Sequence, residues 1–280
     1  MKSKKNIWFS GPYLIWIVGF IIFPLLTIIK YAFTYSNDPF TVNNKFSLSN
    51  ISSALTDPIN IKALTVTLLL ALSATLICFC LAMPIAIKLS KLDKKKRNLL
   101  IFIFILPMWM NFMLQMVAVN TIIENNGIIN VILSALHLPN IKIANTVWAV
   151  LIGMVYDYFP FMLLPLYNTM CNIDQDLVAA SKDLGASPLR TLFQIILPLS
   201  LPGIISGMTM VFIPAISDFA IAEMLGGGKI MLIGNIIEMY FTKGQYHQGS
   251  GLALILTIFV LTTSMIFKDK EENDGGMALI

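Results

Sequence analysis

Charge is what this chain has least of. Only 12% of its 280 residues are Asp, Glu, Lys or Arg, whereas 57% are hydrophobic, against about 25% charged in an ordinary soluble domain. That balance excludes a typical water-soluble globule and places the chain in a bilayer. Cysteine and histidine are also scarce, with three and two copies. Cys78 and Cys80 lie two apart on one expected span, hence on different helix faces, and Cys171 stands at a helix end far from both. No disulfide framework or metal cluster is suggested. His137 and His247 fall on expected outer loops with no ligand pattern nearby, and solvated loop histidines are expected. HExxH, Gly-x-Ser-x-Gly, Cys-x-x-Cys and paired-carboxylate patterns are all missing, so nothing argues for an enzyme.

What the chain has in abundance is long apolar runs. Runs able to cross roughly 30 Å of hydrocarbon, about 20 residues each, occur near 12–33, 64–87, 99–122, 145–170, 200–222 and 251–267. The expected fold class is therefore all-α, a polytopic membrane protein with about six transmembrane helices. The first run follows Lys2, Lys4 and Lys5, but it is too long for a signal peptide and no small-x-small cleavage site follows, so it reads as an uncleaved first helix. Under a six-span alternation most of the 19 lysines and arginines fall on one side, among them the run KLDKKKR at 91–97, Lys182, Arg190, Lys268 and Lys270. The richer side is cytoplasmic by the positive-inside rule, which puts both termini and the loop at 174–198 in the cytoplasm. At a short loop between spans, KLDKKKR reads as a topology determinant and not as a nucleic-acid site.

The outer loops have their own signals. FSLSNISSALTDP after SNDPF predicts a short surface helix over 50–56, and IINVILSALHLP predicts an amphipathic helix lying on the membrane or on the protein. GGGK at 226–229 lacks the spacing and the Ser or Thr of a phosphate-binding loop; three glycines fit a hinge or tight re-entrant turn. The last residues, 269–280, are polar and Gly-containing and are expected to be disordered.

One cytoplasmic stretch is unlike its neighbours. DLVAASKDLGASPLRTLFQIILP at 176–198 is polar and helix-prone. Residues 174–184 favour a first helix, Gly185 can take the left-handed conformation that ends it, and Ser187-Pro188 can cap and begin a second. The second helix places Leu189, Leu192, Phe193 and Ile196 on one apolar face, with Arg190 and Gln194 pointing elsewhere. A linker between two spans would need no more than this. The spacing, however, resembles the EAA loop of permease subunits of ATP-binding-cassette importers: Glu-Ala-Ala, three residues, Gly, nine residues, Ile, one residue, Leu-Pro. Ala179, Ala180, Ser181, Gly185, Ile195, Leu197 and Pro198 fall at those positions. Ala179 stands for the Glu and Ser181 for the second Ala, which removes a carboxylate from the contact with the ATPase. FSLSNISSALTDPINIKALTVTLLLAL, MVYDYFPFMLLPLYNTM and ISDFAIAEMLGGGKIMLIGNIIEMYF are similar to the PotB-type permeases of spermidine/putrescine importers. Related importers of other cationic or small organic solutes share such stretches.

The resemblance implies a MetI-like, type I importer transmembrane domain over 1–280 in a bacterial inner or plasma membrane. Residues 174–198, with Asp183, Ala186, Ser187, Pro188 and Arg190 alongside the motif positions, would couple to an ATPase. No cofactor is implied in this chain, since ATP and Mg would bind the partner ATPase. The implied partners are a second permease (PotC-like), an ATPase dimer (PotA-like) and an extracytoplasmic polyamine-binding protein (PotD-like). An ion-gradient-driven transporter is the main rival class, but the two halves of the chain show no matching repeat.

A polyamine passage needs acceptors for ammonium groups and aromatic faces beside them. An ionisable residue within a span marks a pathway by default. Asp157, flanked by Tyr156, Tyr158 and Phe159, is the first candidate, and Pro160 is expected to break the hydrogen-bond ladder of the helix and free a carbonyl that could line a cavity. Asp218 and Glu223 lie toward the outer end of the fifth span, with Trp109, Asn111 and Gln115 in the third span at comparable depth. Each polar group has a structural alternative, a bond to a neighbouring helix.

Overall fold

A computed structural model describes residue 13, residues 15–35 and residues 45–277, with side chains to residue 267. Lys2, Lys4, Lys5, the SNDPF segment and the last three residues lie outside the described residues. Apart from one pair of two-residue strands, the described elements are helical. Contacts divide the chain into two compact units, Met1–Ala63 with Ile236–Phe259 and Leu64–Asn235 with Val260–Ile280.

In the first unit, α1 (Ile15–Ala32) is an apolar helix with almost all of its surface exposed. It runs into β1 (Thr34–Tyr35), which pairs antiparallel with β2 (Lys45–Phe46). The predicted surface helix follows as α2 (Ser49–Thr56). Its buried Asn50 donates through Nδ2 to the carbonyls of Thr34 (2.8 Å) and Ala32 (3.3 Å), sealing the end of α1. His247 corrects the expectation of a solvated loop residue. It is 7% exposed, with Nδ1 3.2 Å from the Tyr31 carbonyl and its ring edge-on to Tyr31. A half-apolar ring with a polar tip can be buried where the backbone offers a partner. His137 is exposed, at a positive φ of 56°.

The second unit is built around α7 (Val147–Asn172), which continues through Pro160 and Pro165 without interruption. Pro160 removes one rung of the hydrogen-bond ladder, and neighbouring packing carries the helix across it. Beside it, α3 (Pro58–Ser90) buries Ala71, Ala74, Cys78, Ala82 and Ala86 along one stripe, and the Cys78 thiol donates to the Val155 carbonyl at 3.6 Å. Helix α10 (Leu201–Ser217) packs along α7 through Gly203 and Gly207, one turn apart. A Cβ on Gly203 would sit 2.2 Å from Thr169 Oγ1, and one on Gly207 would sit 2.8 Å from Met162 Sδ. In lipid, where oil-like side chains gain little from each other, such close backbone approach is what binds helices together.

Two expected spans are not single helices. The run at 99–122 becomes α4 (Lys94–Ile105), a 3-10 turn (Leu106–Trp109), and α5 (Phe112–Ile123). The fifth ends at Ser217; Asp218 is extended, and the short α11 (Ala220–Leu225) follows. Among the described residues, five helices are long and apolar enough to cross a membrane, Ile15–Ala32, Pro58–Ser90, Phe112–Ala135, Val147–Asn172 and Tyr246–Phe267. The pair Pro188–Leu199 and Leu201–Ser217, bent by 72°, is a sixth if taken as one broken span. Phe112–Ala135 includes the predicted amphipathic helix, α6 (Ile128–Ala135), fastened by Asn130 to both polar groups of Ile141. In the GGGK turn, Gly227 and Gly228 have φ of 57° and 71°. Helix α12 (Ile233–Thr242) comes next, and α13 (Tyr246–Met277) continues past residue 269, where disorder was expected. Lys and Glu at 270–272 are ordinary helix formers.

The glycine contact predicts that Gly203→Val lowers the thermal unfolding midpoint of the detergent-solubilised chain by several degrees. Gly19→Ala, where a Cβ meets nothing within 4 Å, leaves it unchanged or slightly higher. Equal midpoints for Gly203→Val and the parent would contradict the packing.

Candidate functional site

Where the third span breaks, a cavity opens. Met110 and Asn111 are extended, and Asn111 Oδ1 accepts from the amides of Met113 (2.9 Å) and Leu114 (3.3 Å), starting α5 afresh. Buried Gln115 reaches back from α5, its Nε2 donating to the carbonyls of Pro107 and Met110. Both ends of the interruption are thereby satisfied inside the protein, as hydrocarbon surroundings require. The space left beside it measures about 250 Å³ and is lined by Pro107, Met108, Met110, Phe112 and Gln115 from the break, and by Tyr156, Asp157, Pro160 and Phe161 from α7. Asp157 is the one carboxylate on this lining.

The other expected pathway residues separate. Tyr158, one position on, turns away from the cavity and donates its hydroxyl to Asp218 Oδ2 at 2.6 Å, while Asp218 Oδ1 accepts from the Ile221 amide at 2.9 Å. Asp218 thus caps α11 and ties α7 to the break after α10. The second side of that break is held by Asn235, whose Nδ2 donates to the Phe219 carbonyl at 2.9 Å. Phe159 packs against Phe104, and Trp109 is 80% exposed, edge-on to Phe102. Neither lines the cavity. Asn111 spends its oxygen on the cap, and Glu223 is exposed on α11. The sequence reading missed Met108, Met110, Phe112 and Phe161. Pro107 and Asn111 inside an otherwise apolar run were the signal that could have found the break.

The polar stretch folds as its caps dictate. Asp174 Oδ1 accepts from the Asp176 amide (2.9 Å) to start α8 (Gln175–Asp183). Gly185 ends it at a φ of 78°, with its own amide bonded to the Lys182 carbonyl (2.9 Å) and the Ala186 amide to that of Ser181 (3.1 Å). Ser187 Oγ accepts from the Arg190 amide (3.3 Å), and Pro188 opens α9 (Pro188–Leu199). Ser181 and Thr191 are buried, and their hydroxyls meet at 2.9 Å across the turn. Leu184, Leu189 and Phe193 are left 88%, 68% and 64% exposed, and Ala179 and Ala180 are exposed as well.

Residues 78–268 match the family model described as the binding-protein-dependent transport system inner membrane component. The chain belongs to this family. It is 38% identical over 246 residues to the spermidine/putrescine transport system permease protein PotB of Escherichia coli (strain K12), covering 87% of this chain and 89% of that protein. Its identity to the PotB of Haemophilus influenzae is 33% over 261 residues, with 90% and 89% covered. In fold it resembles a subunit of a bacterial alginate ABC transporter solved in complex with an alginate pentasaccharide-bound periplasmic protein, with a TM-score of 0.76 and 15% identity over 95% of this chain and 96% of that one. The chain is thus a membrane-embedded permease subunit of an ATP-binding-cassette importer.

In this permease the EAA-like positions fall on the hairpin α8–α9, with Ile195 half-buried and Leu197 and Pro198 at the start of its last turn. The Ser181–Thr191 pair fastens the two helices where the family pattern has an alanine. Ser181→Val leaves the Thr191 hydroxyl buried and unpaired, at a cost of about 1–3 kcal/mol. Faster amide exchange across 185–191 is the expected result, with Ser181→Thr close to the parent. Exchange unaltered by the valine would show that the pair holds nothing.

Proposed function

We propose that this permease is the transmembrane subunit of an ATP-driven spermidine/putrescine importer, with the cavity at Asp157 on the substrate's path. The observation that carries the reading is a single carboxylate, among the described residues, on a cavity otherwise walled by Tyr156, Phe112, Phe161, Gln115, methionines and prolines. A polyamine alternates ammonium groups with methylenes, and such a wall suits both: the carboxylate and the tyrosine face attract the charge, while the apolar groups cover the chain. The names of the PotB relatives support the same substrate class. Because Tyr158 and Ile221 occupy Asp218, its part is to hold the break open and Asp157 makes the contact.

The hairpin 174–198 is the coupling element. Its exposed Leu184, Leu189 and Phe193 form the face for the groove of an ATPase, and Ala179, in place of a glutamate, leaves that contact apolar. In this reading the permease hydrolyses no ATP; ATP and Mg bind a PotA-like ATPase dimer. A PotC-like second permease completes the passage, and a PotD-like protein delivers the polyamine from outside. Both termini and the hairpin lie in the cytoplasm of a bacterial cell, with 1–280 acting as one permease domain. Another small cationic solute would fit the same cavity, and substrate competition separates the two.

In cells without other polyamine importers, supplied with this chain and its partner subunits, Asp157→Asn is expected to reduce radiolabelled spermidine uptake tenfold or more at normal membrane abundance. Gly185→Asp, which forces a side chain onto the left-handed turn, is expected to abolish ATP-dependent uptake while the complex stays assembled. Unchanged uptake kinetics in Asp157→Asn would sink the assignment of the cavity.

A further inference from the structure

The cavity has a second acceptor, and the helix break itself has aimed it. Gln115 is 4% exposed and lines the cavity next to Asp157. Its Nε2 is held by the carbonyls of Pro107 and Met110. An amide turned the other way would set its oxygen against those two oxygens, so the break decides which end of the side chain faces where. Oε1 accepts from no described residue and is not sealed off from the surroundings, which leaves it to the cavity.

Resting on the proposed reading of this cavity as the substrate's path, we infer that Gln115 is a specificity-determining residue: it makes the cavity a site for cations that carry N–H groups and turns it against quaternary ammonium ions. Asp157 attracts any cation, and the ring of Tyr156 serves a trimethylated nitrogen as well as an ammonium. Charge and the aromatic face alone therefore separate the two poorly. An amide oxygen with its own donors already spent accepts only from N–H. A quaternary ion would displace water from Oε1 and offer it nothing in return, and rejection through an unpaired buried acceptor is stronger than rejection by fit in an apolar pocket. The methionines and phenylalanines around it impose no comparable demand.

The test uses the whole importer in cells and measures how well the bis(trimethylammonium) analogue of putrescine competes with radiolabelled putrescine for uptake. The delivering protein is the same for every variant, so its own selectivity cancels in the comparison. In Gln115→Met, which has neither donor nor acceptor, the preference for putrescine should narrow about tenfold, the value of one hydrogen bond to a charged group. Gln115→Glu still offers an acceptor and should keep the preference. An unchanged preference in an assembled Gln115→Met complex overturns the inference. So does an equal loss in both variants, which would assign the effect to the lost tie on Pro107 and Met110. If Gln115→Met does not assemble, Gln115→Leu, which also lacks donor and acceptor, takes its place: a narrowed preference there beside a kept one in Gln115→Glu supports the acceptor role, and an unchanged one refutes it. Asp157→Asn separates the levels, since full uptake in that variant strikes the assignment of the cavity itself, whereas impaired uptake beside an unchanged preference in Gln115→Met strikes only the role given to Gln115.

Discussion

The helix interruptions after α4 and after α10 are closed from inside by side chains, because hydrocarbon offers an exposed peptide group no partner. Asn111 and Gln115 close the gap after α4, Asp218 and Asn235 the gap after α10, and the Thr67 hydroxyl receives the Ile233 amide (2.9 Å) where α12 begins. A cavity can exist beside such a break because the break has already been paired.

That requirement also divides the work of the two carboxylates. Asp218 accepts from a tyrosine hydroxyl and from a backbone amide, and both of its oxygens are engaged. Asp157 opens onto the cavity. Adjacent positions on one helix, 157 and 158, thus face a cavity and a joint respectively, since successive residues on a helix point about 100° apart. The joint depends on α10 lying close to α7, which the two glycines at 203 and 207 allow.

The hairpin at 174–198 was the most legible part of the chain. Its caps are local: Asp174, Gly185 and Ser187-Pro188 each act within four residues, so the order of residues alone predicts helix, turn, helix. The buried Ser181–Thr191 pair was not legible, because it joins positions ten apart whose meeting depends on how the two helices cross. The cavity was legible only in part. Asp157, Tyr156 and Gln115 are there as their position in apolar runs suggested, but Trp109, Phe159 and Tyr158 are of equally suitable type and face elsewhere.

Composition, the lengths of the apolar runs and the EAA-like spacing by themselves determined that the chain is a helical membrane protein of the importer-permease type, because hydropathy and capping act over a few residues along the chain. Only the tertiary structure decided which spans are broken, which carboxylate is spent on a joint and which side chains line the cavity. Those outcomes follow from pairing between groups far apart in sequence, where a polar atom's role is set by the partner that reaches it first.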